Sequence, residues 1–138
     1  MAYIGARLKR KEDQRFLRGI GRFAGDIRIA GMKHAAILRS PYAHAKILKI
    51  NVEAARQAEG VVGIVTAAEI GPVGTIPMRT GQVEGLERTQ QYPLASDKVR
   101  YVGDPIAILV AENRYLAEDA LELIEVEYDP LGAVVDPM

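Results

Sequence analysis

The strongest constraint on the fold is the unbroken apolar run from Ile106 to Ala111, together with the two periodic segments after it. A run apolar on both faces suits a strand at the centre of a sheet. Asn113 then offers a side chain that can cap a helix. Leu116, Ala117, Ala120, Leu121, Leu123 and Ile124 fall on one helical face, with Glu118, Asp119, Glu122 and Glu125 opposite. Next, Ile124, Val126 and Tyr128 alternate with Glu125, Glu127 and Asp129, the period of a half-exposed strand, until Asp129-Pro130-Leu131-Gly132 ends it. Strand, helix and strand, each marked by its own period, predict an α/β domain built on a mixed sheet (α+β).

The preceding residues show a similar order. Gly31 opens a strand through His34-Ala35-Ala36-Ile37-Leu38. Ser40-Pro41-Tyr42 breaks it, because proline cannot donate to a ladder and restricts the residue before it. Ala45, Ile47 and Leu48 lead a second strand to Ile50. Asn51 suits the N-cap of a short helix over Val52 to Ala58, and Gly60 its left-handed C-terminal position. Val61 to Val65 is a short strand, after which Thr66 and Glu69 have the spacing of a capping box. Lys98 to Val102 reads as a strand and Gly103-Asp104 as a tight turn before the apolar run. Strand, strand, helix, strand thus occurs twice, with no clear sequence repeat behind it.

Two stretches stand apart. Residues 1–30 show no sustained period and read as an extended basic arm with short turns, leaving 31–138 as the one folded domain. Gly71 to Tyr92 is the least regular segment, punctuated by Pro72, Gly74, Pro77, Gly81 and Gly85. Loops of that length are uncommon in compact domains and tend to be functional or to bind something. A plain surface excursion is the alternative.

Charge and cysteine content narrow the function classes. Eighteen basic residues balance eighteen acidic ones, so no global field attracts a polyanion. The distribution is uneven: Arg7, Lys9, Arg10, Lys11, Arg15, Arg18, Arg22 and Arg28 crowd the arm, while Glu112 to Asp129 is acidic. Two differently charged surfaces, each facing its own neighbour, would produce that asymmetry. With no cysteine, the chain has no disulfide, no thiolate metal site and no cysteine-ligated iron–sulfur cluster. No apolar run has the length of a membrane span, and Met1 to Lys11 lacks the apolar core of a secretory signal. A cytoplasmic location is the expectation.

No group of residues has the pattern of an active site. Gly19, Gly21 and Gly25 lack the spacing and flanking strand and helix of a dinucleotide fingerprint, so turns explain them better than a phosphate cradle. His34 and His44 have no suitably spaced carboxylates, whereas a metal site wants three or four convergent ligands. Glu118, Asp119, Glu122 and Glu125 lie on an outward helix face and read as solvated rather than as a cation site. Ser40 and Ser96 sit in no nucleophile elbow. The long loop offers few titratable groups: Arg79, Glu84, Glu87 and Arg88. No catalytic, cofactor-binding or metal-binding residue is therefore assigned in this chain.

Three stretches together resemble a known family. Arg10-Lys11-Glu12-Asp13, Phe16-Leu17, Gly19-Ile20-Gly21-Arg22-Phe23 and Asp26 are like its opening segment, R-x-E-D followed by G-x-G-x-[FY]-x-x-D. His34-Ala35 with Arg39-Ser40-Pro41-Tyr42-Ala43-His44-Ala45 is like its R-S-P-x-A-H-A turn. Leu94-Ala95, Val99-Arg100-Tyr101-Val102-Gly103-Asp104-Pro105-Ile106-Ala107, Ala117-Glu118-Asp119-Ala120 and Val126-Glu127-Tyr128-Asp129-Pro130-Leu131 match its third series. Their order over nearly the whole chain resembles the molybdenum hydroxylase large subunits of xanthine dehydrogenase, aldehyde oxidase and carbon monoxide dehydrogenase.

The resemblance implies an α/β-hammerhead domain. It also implies that the molybdopterin-binding segments and the catalytic glutamate lie beyond this domain, with iron–sulfur clusters and FAD elsewhere in the complete enzyme. Implied partners are the remaining molybdopterin-binding part of the large subunit, an iron–sulfur subunit and a flavin subunit. The chain is then a scaffold and contact domain, inactive by itself. A different class of reading is a stand-alone binding protein that uses Phe16, Phe23 and the arm arginines to stack on single-stranded nucleic acid. A steep fall of binding with salt would mark that second reading.

Overall fold

The computed structural model describes residues 4–5, 7–77 and 91–136. They fall into two compact units, Met1–Met32 and Lys33–Met138.

The first unit is not wholly extended. A short helix, α1 (Asp13–Leu17), and a 3-10 turn (Ala24–Asp26) interrupt it. Asp13 starts the helix by accepting from the Arg10 amide at 3.2 Å and from Arg10 Nε at 2.8 Å. Gly19 ends it at φ 67°, where its amide donates to Phe16 O and that of Ile20 to Arg15 O. Five residues make less than two turns, too short to show a 3.6-residue period, which is why the sequence reads as turns alone. Asp26 organises the next bend by accepting from the Phe23 amide at 2.9 Å.

The second unit contains β1 (His34–Arg39), β2 (Ala45–Asn51), α2 (Glu53–Arg56), β3 (Val61–Thr66), α3 (Ala67–Ile70), β4 (Lys98–Val99), β5 (Pro105–Ala111), α4 (Arg114–Leu121) and β6 (Glu125–Pro130). All strand pairs are antiparallel and form two three-stranded sheets, β1-β5-β3 and β4-β2-β6. The pairing gives the doubled element order a physical meaning. The first half contributes β1 and β3 as edges of one sheet and β2 as the centre of the other. The second half does the converse with β4, β6 and β5. Neither half can complete a sheet without the other.

The apolar run is the central strand β5, as its two-faced hydrophobicity requires. One cluster packs Ala107, Leu109 and Ala111 with Ile64, Ala55, Ala117, Ala120 and Ile124, under α2 and α4. A second packs Ile106 with Ala45, Ala95 and Val99. Leu38, Ile50 and Val126 border both clusters. The β1–β5 register slips at the start of β5: Leu38 faces Ala107, yet Arg39 faces Pro105. Ile106 and Ala107, successive residues, are both fully buried because they turn to different clusters, the strand being covered on both sides at that point.

Several predicted boundaries move. The helix expected over Val52 to Ala58 is the single turn Glu53–Arg56. Asn51 remains in β2 and its side chain accepts from the Glu53 amide at 3.3 Å. The strand expected over Lys98 to Val102 stops at Val99, because the Arg100 amide turns to the Asp104 carboxylate instead of a ladder partner. Leu123, Ile124 and Glu125 lie beyond α4. A tightened last turn, Leu123 N to Ala120 O and Ile124 N to Leu121 O, swings the chain into β6. Asn113 caps α4 by accepting from the Leu116 amide at 3.0 Å.

Gly60 joins α2 to β3 and is doubly constrained. Its φ is 71°, and a Cβ there would stand 2.5 Å from Leu116 Cδ1. Through its carbonyl, which accepts from the Glu112 amide at 2.9 Å, the turn also ties β3 to the loop before α4.

Candidate functional site

Two motif stretches that are distant in sequence meet at one joint. The Ser40 amide donates to Asp104 O at 2.9 Å, and the Gly103 amide donates to Ser40 O at 2.8 Å. Arg39 Nη1 reaches Gly103 O at 2.9 Å. Ser40 Oγ accepts from the Tyr42 amide and donates to Tyr42 O, fixing the turn ahead of β2. Ser40 and Asp104 are 3% and 5% exposed, so the backbone bond between them is shielded from water, whereas the Arg39 bond lies at the exposed margin. The Asp104 carboxylate accepts from the Arg100 amide at 3.0 Å. Gly103 supplies the left-handed conformation (φ 92°) that lets the second turn close.

The joint extends to the end of β6. The Tyr42 and Tyr128 rings lie 4.8 Å apart, tilted by 47°. Burial pushes the Tyr128 phenol up from its ordinary value, partly opposed by its hydrogen bond with Ser40. His44 Nδ1 is 2.9 Å from Gly132 O; since a carbonyl only accepts, that nitrogen carries the proton. The Leu131 amide donates to His44 O. Ser40 and His44 thus act here as struts for turns and for the chain leaving β6. Weighing Ser40 as a nucleophile misses this role, although a Ser two residues before Tyr42 has the spacing of a local side-chain turn.

The other candidate residues do not converge with them. His34 lies in β1 beside Arg114, Glu118 and Leu121 along a shallow hollow. Glu118 pairs with Arg114 Nε at 2.7 Å on the exposed side of α4, and Glu125 belongs to β6 rather than to that helix face. Gly19 ends α1, and Gly21 seats the Phe16 ring, since a Cβ there would lie 2.5 Å from Phe16 Cδ1. The Gly25 carbonyl accepts from Arg28 Nη1. Ser96 borders a hollow of about 160 Å³ lined mainly by Ile70, Pro72, Val73, Pro93 and Leu94. An antiparallel bridge between Ile76 and Gln91 ties the two described ends of the long loop. Arg79, Glu84, Glu87 and Arg88 lie outside the described residues.

Thr66 and Glu69 do form the predicted capping box. Glu69 Oε2 accepts from the Thr66 amide at 2.8 Å and from its hydroxyl, while Thr66 Oγ1 accepts from the Ala68 amide. The hydroxyl bond first, then the amide bond, and the nearby Arg56 hold the Glu69 carboxyl below its usual range against a small desolvation cost.

The arm presents a row of uncovered apolar side chains. Among its described residues none is buried, while Leu17, Ile20, Phe23, Ile27 and Ile29 are all exposed. Phe16 and Phe23 stack on each other, centroids 5.4 Å apart and planes 5° from parallel. Eight basic residues stand there against Glu12, Asp13 and Asp26.

Among the described residues no three histidine, cysteine, aspartate or glutamate side chains gather as a metal site. The hollow beside Ser96 carries no charged side chain to meet a phosphate-bearing group. Among the described residues, no helix is long and apolar enough to cross a membrane.

Comparison with known proteins matches residues 18–132 to the family described as aldehyde oxidase and xanthine dehydrogenase, a/b hammerhead domain. The 6-hydroxypseudooxynicotine dehydrogenase complex subunit gamma of Paenarthrobacter nicotinovorans is 39% identical over 99% of this chain and 18% of its own length. The carbon monoxide dehydrogenase large chain of Afipia carboxidovorans is 38% identical over 97% of this chain and 16% of its own. The crystal structure of quinoline 2-oxidoreductase from Pseudomonas putida 86 superposes with a TM-score of 0.84 at 43% identity, covering 92% of this chain and 16% of that one. The chain therefore spans about a sixth of the length of the relatives it matches. Fold, motif order and these likenesses agree: the chain belongs to the aldehyde oxidase and xanthine dehydrogenase family of molybdenum hydroxylases, and it carries the α/β-hammerhead domain.

Proposed function

We propose that this chain is a non-catalytic scaffold and contact domain of a molybdenum hydroxylase large subunit. The observation that carries the reading is the arm. Its described residues bury no side chain, yet they expose a row of large apolar groups beside a surplus of five positive charges. Such a segment gains little by folding alone and is stabilised by being covered. Its charge selects an acidic surface with apolar pockets.

In this reading residues 1–30 are the docking arm and 31–138 the hammerhead body, with the 71–92 loop as a second contact. The molybdopterin site and catalytic glutamate belong to the rest of the large subunit, and iron–sulfur clusters and FAD to companion modules of a cytoplasmic enzyme. Partners are that remaining region, an iron–sulfur subunit and a flavin subunit.

The test is association. The chain is coexpressed with the remainder of its enzyme, and Arg15, Phe16, Arg18 and Phe23 are replaced together by alanine. Co-purification falling by about ten-fold or more supports docking through the arm. Unchanged association overturns it.

A further inference from the structure

We infer that the face of the β1-β5-β3 sheet turned away from α4 is the seat of the rest of the large subunit, packed against it through aliphatic side chains. This rests on the scaffold reading and names the surface that reading leaves open. Strand alternation assigns the face. Ala36, Leu38, Ile64, Ala107, Leu109 and Ala111 turn toward the cluster under the helices, so their neighbours in each strand turn the other way. The register places Ala35 and Gly63 beside Val110, and Ile37 and Val65 beside Ile108.

These six are all apolar, in a chain of which 26% is charged; at the same end of the face Arg39 follows in alternation and Ile106 is already covered by the second cluster. None of the six is fully buried, and Ile37 is 41% exposed. The buried helical residues Ala55, Ala117 and Ala120 all belong to the cluster on the opposite face. An edge-to-edge apolar sheet face in contact with water is costly, and sheets of this kind are covered by a packed layer.

The size of the patch selects the occupant. Six residues, one of them glycine, fall short of the roughly 20–30 residues a side that a standard interface between separate proteins uses. That argues against a second copy of this chain held through this face alone. Interfaces between domains of one polypeptide are smaller, about 600–1,500 Å². The matched relatives have such a polypeptide at hand, since this chain corresponds to only 16–18% of their length. Among neutral aliphatic partners a helix or strand face of that region fits. A strongly charged surface does not, because charges set over these six apolar residues would be desolvated with no partner beside them, and Arg39 at the margin already donates to Gly103 O.

The absence of cysteine makes the face directly readable. Ile37→Cys and Val65→Cys each place one thiol on it, and alkylation of this chain is monitored by mass, alone and in complex with the coexpressed remainder of the same large subunit. Circular dichroism and thermal midpoint confirm that each variant folds. Both thiols are expected to react in the chain alone and to slow by about ten-fold or more in the complex. If either reacts as fast in the complex as alone, this assignment is overturned while the scaffold reading stands. If the unvaried chain forms no complex, the scaffold reading falls and the assignment with it.

Discussion

The Ser40 amide donates to the Asp104 carbonyl at 2.9 Å, joining the turn after β1 to the turn before β5 in a place almost closed to water. The Asp104 side chain completes the joint by accepting from the Arg100 amide. Asp104→Ala leaves that amide without its acceptor, at a cost of about 1–3 kcal/mol. Asp104→Asn keeps an acceptor oxygen and should lose less than half as much. Urea midpoints of the two variants check this; equal losses would show that the carboxylate's bond to Arg100 is not what matters.

Gly60 is the second sensitive point. Alanine there meets a left-handed φ, worth about 1–2 kcal/mol. The overlap with Leu116 adds to that, overpacking costing typically about 1–3 kcal/mol. Gly103 has the same backbone sign (φ 92°) but open space around its missing Cβ. Gly60→Ala should therefore lower the thermal midpoint more than Gly103→Ala, by the contribution of Leu116 alone. The double variant Gly60→Ala/Leu116→Ala removes the overlap, and the Gly60 penalty measured against Leu116→Ala should shrink to the backbone part.

Legibility in the sequence depends on how local the determinants are. β5 is readable because its apolar run is continuous, and α4 because Asn113 and its apolar stripe act within a few residues. Thr66 and Glu69 announce their box by spacing alone. The exchange of central strands between halves is not readable, since pairing β2 with β6 and β5 with β1 depends on long-range register. The register slip between Leu38 and Arg39 leaves no periodic trace either. At the joint, the sequence shows Ser40 before a proline and Asp104 in a turn, but their meeting lies between backbone groups, which every residue carries. The motif resemblance finds those stretches; only the geometry says what they hold together.

The arm's charge predicts how its docking responds to salt. In the proposed docking, Arg15, Arg18 and Arg22 would approach an acidic surface largely through solvent, where the screening length is about 8 Å at physiological ionic strength and about 3 Å at 1 M. Association of the unvaried chain with its coexpressed remainder should weaken as salt rises. Replacing the three arginines with glutamine should weaken it at low salt and flatten the dependence. A Phe23→Ala chain, by contrast, should lose affinity at all salt concentrations with the slope retained. Parallel salt dependences for the glutamine variant and the unvaried chain would contradict an electrostatic role for the arm.

The capping box sets an acid limit whose direction can be worked out. The Thr66 hydroxyl and amide bonds hold the Glu69 carboxyl below its ordinary 4.5 in the folded chain. Above that ordinary value the carboxylate is ionised whether the chain is folded or unfolded, and its stabilisation is fully present. As pH falls below it, the unfolded chain takes up the proton first, so stability declines until the folded pKa is passed. Thr66→Val keeps the side-chain shape and removes the hydroxyl. It should cost about 1 kcal/mol at neutral pH through the lost cap. It should also move the Glu69 titration upward toward the ordinary value and reduce the loss of stability below it. NMR titration of the Glu69 carboxyl carbon, beside unfolding curves across the acid range, reads both effects. A Glu69 titration unmoved by Thr66→Val would assign the depression to Arg56, 3.4 Å from Glu69 Oε1, rather than to the cap.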